Sequence, residues 1–140
     1  MAEFHCDGLD ELMLSLQEIA ELPGAVVDDM LNAGADVVVQ AQKRKIAAYG
    51  ILDTGQAMRS IGKGKVKSKN GQRVIYVTPV GSRRRGKTST RNAEIVFVNE
   101  FGKRGQRARP AVRDANEESA EATTAAQAAV YDQWLKSKNL

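Results

Sequence analysis

Pro23-Gly24-Ala25-Val26-Val27-Asp28-Asp29-Met30-Leu31-Asn32-Ala33-Gly34-Ala35-Asp36-Val37-Val38-Val39-Gln40-Ala41-Gln42-Lys43-Arg44-Lys45-Ile46-Ala47-Ala48-Tyr49-Gly50 is the stretch that decides the fold. Val27, Met30, Gly34, Val37 and Ala41 recur at steps of three and four, the spacing that puts side chains on one face of a helix. Pro23 suits a first helical turn, where its missing N–H costs nothing. Asp28 and Asp29 are then expected in the first turn, at the positive end of the helix dipole, and Lys43-Arg44-Lys45 in the last, with Gly50 placed as a stop. The stretch predicts a helix from Pro23 to about Ala48.

Upstream, Leu9, Leu12, Leu16 and Ile19 predict an amphipathic helix from Asp7 to Leu22, with Asp7 as its cap. Downstream, Asp53-Thr54-Gly55 punctuates the chain before a short helical stretch ending near Ile61. A hairpin follows, with Lys63–Ser68 as one arm, Asn70-Gly71 as the turn and Arg73–Val80 as the other arm. Residues 81–92 read as a flexible basic loop. For residues 92–101 two readings stand: a helix capped by Asn92 and stopped by Gly102, or a short buried strand through Ile95-Val96-Phe97-Val98. The two end signals favour the helix. Lys103–Arg109 is an extended connector, and Pro110 opens a last helix to about Leu135 with Val112, Ala115, Val130 and Trp134 as anchors. The expected fold class is α+β, long helices on a small antiparallel sheet. Residues 1–140 form one domain, with 1–6 and 137–140 mobile.

The net charge of +4 is unevenly spread. Met1–Met58 holds three basic and ten acidic residues, a net of −7. Arg59–Arg109 holds fifteen basic and two acidic, a net of +13, and Pro110–Leu140 holds three and five, a net of −2. Fold stability does not require such a split, which points to a polyanion or to acidic surfaces on neighbouring subunits. Cys6 is the single cysteine, so no intrachain disulfide forms. No apolar run is long enough for a membrane helix, and Met1-Ala2-Glu3-Phe4 shows no secretion signal, so synthesis in the cytoplasm is expected.

Three motifs invite enzymatic readings. Gly81-Ser82-Arg83-Arg84-Arg85-Gly86-Lys87-Thr88 matches the phosphate-binding GxxxxGK[ST] pattern, in which Lys87 reaches the outer phosphates and Thr88 holds magnesium. The context opposes it: too few strands and helices follow for a parallel sheet, and Asn99 stands where a magnesium-binding aspartate is wanted. Asp53-Thr54-Gly55 matches the aspartic-protease triplet, but two helices precede it and such enzymes are almost wholly β; a turn that caps the next helix is the simpler reading. His5, the one histidine, and Cys6 find no further ligands at a recognised spacing. No catalytic residue, metal or cofactor is expected. The basic residues Arg83, Arg84, Arg85, Lys87 and Arg91, backed by the hairpin lysines, suit phosphates contacted without sequence readout or an acidic protein surface.

Three stretches carry a resemblance. Ile51-Leu52-Asp53-Thr54-Gly55-Gln56-Ala57-Met58-Arg59-Ser60-Ile61 is similar to a "P-x-x-TG-x-L-R-x-S-I" passage that follows a long helix. Val98-Asn99-Glu100-Phe101-Gly102 looks like an "EFG" signature, and Ala108-Arg109-Pro110-Ala111-Val112-Arg113 looks like "ARPFLRPA". In this order they resemble the tail-component family of long-tailed double-stranded DNA phages, whose members complete the tail or join it to the head. The resemblance runs over roughly residues 24–115. Ala111 departs from its usual bulky aromatic, Asp114 from a second proline and Met58 from a leucine.

The resemblance implies a non-enzymatic structural protein, made in the host cytoplasm and ending in the neck or tail of the virion. Its implied partners are copies of itself in a hexameric ring, head-connector and tail-tube proteins, and DNA passing through the lumen. No membrane is implied. Asp53, Thr54, Gly55, Arg59, Ser60, Ile61, Glu100, Phe101, Gly102, Arg109 and Pro110 are the motif residues. Glu100 is expected to pair with Arg109 or Arg59, and Phe101 to bury as an anchor. Arg83, Arg84, Arg85, Lys87 and Arg91 would then face the lumen or a neighbouring ring. The −7 helical part of one copy would meet the +13 part of the next.

Overall fold

The computed structural model describes residues 22–51 and 55–138. Residues 7–21 of the expected Asp7–Leu22 helix, and Asp53 and Thr54, lie outside the described residues. The fold is α+β: helices α1 (Gly24–Ala48), α2 (Gln56–Arg59), α3 (Asn92–Phe101) and α4 (Ala111–Ser137), with six short strands between α2 and α3.

Helix α1 starts after Pro23, so Asp28 and Asp29 fall beyond its first turn and only Lys45 of the expected basic trio is in its last, and it ends as the glycine predicts. Gly50 takes φ +70, its N–H bonds to Ala47 O at 3.1 Å and that of Ile51 to Ile46 O at 3.1 Å. This double bond pattern is the Schellman stop, and it brings Ile51 and Ile46 together in the core. The face α1 buries is shifted from the expected one: Gly34 and Ala41 are buried, while Val27, Met30 and Val37 are only half-buried. It comprises Gly34, Ala35, Val39, Ala41, Gln42 and Ile46.

Helix α4 packs antiparallel on α1, with Tyr49 beside Asp114, Gln42 beside Asn116 and Gly34 beside Thr123 and Gln127. A Cβ on Gly34 would stand 2.6 Å from Gln127 Nε2 and 3.1 Å from Thr123 Cγ2, so a larger residue there would displace the Gln127 side chain. The seam contains polar and small residues, and the apolar core lies at one end of it. Val39, Ile46, Ile51, Ala57, Ile61, Val96 and Ala111 form that core, with Ile46 fully buried.

The Asn70-Gly71 hairpin forms, and both turn residues have positive φ (52° and 76°) as a tight two-residue turn requires. Strands β2 (Lys67–Lys69) and β3 (Gln72–Val74) pair next to the turn, and β1 (Ile61–Lys63) and β4 (Val77–Pro79) pair further out. Between them residues 64–66 oppose residues 75–76, three against two, so a bulge shifts the register by one.

Residues 81–92 are not a loop. Strand β5 (Ser82–Arg85) pairs antiparallel with β6 (Thr88–Arg91) around a turn at Gly86-Lys87, where Gly86 has φ +57. Its strands alternate no apolar residues, so periodicity gave no strand signal. Residues 92–101 are the helix α3, stopped by Gly102. Asn92 does not cap it: its side chain is buried and donates to Val80 O at 2.9 Å. Helix α4 runs to Ser137, two residues past the expected end. Among the described residues no helix is long and apolar enough to cross a membrane.

Candidate functional site

The three resemblance stretches meet. Ile51, Ala57 and Ile61 come from the first, and they pack in the same core as Ala111 from the third and Val96 from α3, two residues before the second. Polar contacts close the junction. Glu100 accepts hydrogen bonds from the backbone N–H groups of Val112 (Oε2, 2.9 Å) and Arg113 (Oε1, 2.9 Å), the exposed donors in the first turn of α4. Pro110, in the cap position, has no side-chain acceptor, and a carboxylate from another helix takes that place.

Arg109 is held elsewhere than expected. Its backbone N–H meets Asn99 O at 2.6 Å and Nη2 donates to Asn99 Oδ1 at 2.5 Å, while Nη1 reaches Tyr49 O at 3.2 Å behind the end of α1. The expected Glu100–Arg109 pairing is therefore replaced by Glu100 to backbone and Arg109 to Asn99, because both partners satisfy groups left open at helix ends. Asn99 is the hub that the sequence reading missed. It is buried, donates Nδ2 to Ile95 O at 2.8 Å and accepts from Gln106 Nε2 at 3.2 Å. Gly102 has φ +78 and ψ 176, and a Cβ there would lie 2.9 Å from Ala108 N and Gln106 O. That region of backbone is accessible essentially to glycine alone.

The remaining motif residues are also placed structurally. Gly55 has φ +71 ahead of α2, Ser60 donates its hydroxyl to Ala57 O at 2.6 Å, and Ile61 is buried at the head of β1. Arg59 is exposed. Phe101 is not an anchor: it is 68% exposed, and Phe97, one turn earlier, is 63% exposed. Their ring centroids are 4.8 Å apart at a 51° tilt. The buried side of α3 is taken by Asn92, Val96 and Asn99, so the aromatic pair points to solvent.

Beside the junction, the Tyr49 hydroxyl donates a short hydrogen bond to Asp114 Oδ2, and Lys45 pairs with Glu118 at 2.7 Å and stands 5.4 Å from the Tyr49 ring centre. The Tyr49 bond, with help from Arg113, holds the Asp114 carboxyl below its ordinary value. The same bond pushes the Tyr49 hydroxyl up, and the Glu118 bond raises Lys45.

The charge split is partly satisfied within the chain itself. Asp28 holds Arg73 through two bonds of 2.6 and 2.7 Å, and Asp36 holds Lys63 at 2.8 Å, so α1 clamps the bulged hairpin. The β5–β6 hairpin stands apart from these clamps. Arg84 and Lys87 are exposed, and Arg91 makes a 3.8 Å contact with Glu94, both side chains being exposed. The strands of this hairpin also bear on the phosphate-loop pattern. Lys87 sits in a strand–strand turn and Thr88 begins a strand, so no helix N-terminus stands behind Lys87 to receive phosphates.

His5, Cys6 and Asp53 lie outside the described residues. Among the described residues no group of three or more His, Cys, Asp or Glu is arranged to hold a metal ion. No protein-family model matches the chain, and no curated protein or solved structure matches it.

Proposed function

We propose that this chain is a structural subunit of a long-tailed phage or prophage that completes the tail or joins it to the head. In this reading it assembles in the host cytoplasm as an oligomeric ring and ends in the virion neck, performing no chemistry. One observation carries the reading: Ile51 with residues 55–61, residues 98–102 and residues 108–113, the described parts of the resemblance, converge on one junction whose side chains fix backbone. Glu100, Arg109, Gly102 and Ser60 each meet a need of the fold, which is how a family of scaffolding subunits would use a shared motif. The surface outside that junction bears exposed aromatic rings and a cationic hairpin, both suited to docking.

A second reading, a basic nucleic-acid-binding module, is favoured by one feature, the cationic β5–β6 hairpin. The two are separated by removing this chain from a phage or prophage that encodes it. Under the assembly reading, induced cells accumulate filled heads and finished tails that do not join, and supplying the chain in trans restores infectious particles. Normal particle yield without the chain would contradict the assembly reading.

A further inference from the structure

Phe97 and Phe101 lie on the outward stripe of α3 together with exposed Ala93. A well-packed subunit rarely holds two large rings in water side by side, and the helix that carries them is fixed by its buried side at Asn92, Val96 and Asn99. The rings therefore cannot turn inward without unmaking the junction. The chain leaves this stripe into a cationic rim. Lys103 and Arg104 follow within three residues of Phe101, and the Lys103–Gln106 backbone pair (3.1 and 2.9 Å) holds them in a tight turn.

A complementary surface lies on α4 of the same molecule. From Asp114 to Gln133, α4 carries five acidic residues and no basic one. Glu118 and Asp114 are engaged by Lys45 and by Tyr49 and Arg113. Glu117 and Glu121 are exposed, beside a shallow depression of about 440 Å³ lined by Ala120, Glu121, Thr124, Ala125 and Ala128. Small side chains there leave room for rings, Glu121 lines it, and Glu117 is exposed one turn earlier on the same helix. We infer that the Phe97–Phe101 pair of one copy docks on the Glu117–Ala128 face of α4 in a second copy, with Lys103 and Arg104 meeting Glu117 and Glu121. Rings fill the apolar depression, and opposite charges at its rim fix the register. Because the two surfaces differ, the contact is heterologous, and repeated copies close a ring or extend as a filament. The inference rests on the assembly reading and supplies its subunit contact.

The test uses the full chain with Cys6→Ser, in two separately labelled variants, Ala93→Cys and Ala125→Cys, joined by a short bis-maleimide. The docking contact gives covalent dimers when the two are mixed and few from either alone. Abundant dimers from Ala93→Cys alone would mean a two-fold contact and overturn the inference. In parallel, Arg104→Glu and Glu121→Arg should each weaken self-association about tenfold, and the double variant should recover most of it. Phe97→Ser with Phe101→Ser should leave a folded monomer of unchanged melting temperature. If that variant still forms rings but fails to attach to heads, a different protein is the occupant and the inference fails while the assembly reading stands. If the parent chain stays monomeric at every concentration and is absent from particles, both fall.

Discussion

Glu100 Oε2 accepts the backbone N–H of Val112 at 2.9 Å, and through this bond α3 caps α4. The second oxygen takes Arg113 N–H at the same distance, so a charged acceptor stands at the positive end of the 27-residue helix. Glu100→Ala should cost about 1–2 kcal/mol in urea unfolding, the range for losing a helix cap. Glu100→Gln should recover part of that loss. Equal stability of all three proteins would mean that Glu100 is not a cap.

Gly102 tests the turn between α3 and the connector. Alanine there must adopt φ +78 and place Cβ 2.9 Å from two backbone atoms. Gly102→Ala should destabilise by about 1–3 kcal/mol from backbone strain alone. Gly105→Ala, at φ +78 with nothing within 4 Å of its Cβ, should cost less, since it lacks the clash. Thermal melts of the two variants side by side check the order.

Acid should loosen the packing of α1 against its neighbours. Arg73 holds the Asp28 carboxyl, and Tyr49 the Asp114 carboxyl, below their ordinary values. A carboxyl with a lowered folded pKa contributes stability that is complete above the unfolded value, near 3.9, and is lost as pH falls through the folded one. Urea midpoints should therefore fall as pH drops below about 4. In Asp28→Asn with Asp114→Asn the fall should be shallower. Tyr49 has the opposite sense: its raised hydroxyl favours the fold below about pH 10, and this support goes as pH rises through the folded value.

The β5–β6 hairpin is predicted to matter for contact and not for folding. Arg84→Ala with Lys87→Ala alters exposed side chains and should change stability by less than about 0.5 kcal/mol. If the hairpin faces DNA in a lumen, the salt dependence of duplex binding should also drop, by about 0.9 in log–log slope for each phosphate contact removed. An unchanged slope would assign the hairpin to a protein partner.

Much of this architecture was legible because local signals agreed with one another. Pro23 and Gly50 marked the two ends of one helix, and the Schellman bonds at Gly50 and Ile51 honour the second; of the charged residues only Lys45 falls in an end turn. Asn70-Gly71 fixed the turn of the bulged hairpin, although nothing in its pattern marked the extra residue at 64–66. The β5–β6 hairpin escaped notice because Ser82–Arg85 and Thr88–Arg91 carry no apolar alternation; Gly86 at a two-residue turn was the available clue.

The site was less legible. Asn99 looked like a failed magnesium ligand, yet it anchors Arg109, a long-range role that spacing alone does not reveal. Phe101 was expected inside on hydrophobicity, but Asn92, Val96 and Asn99 already fill the inward face of α3. Its exposure is a property of tertiary placement and could be read only from the fold.

The most direct test of the account is the copy number of this chain in purified tailed particles, measured by quantitative mass spectrometry against the portal and tail-tube proteins. The account predicts a small fixed number per particle, equal to the size of one closed ring and the same in every preparation. Absence from finished particles and from isolated heads and tails alike would contradict it.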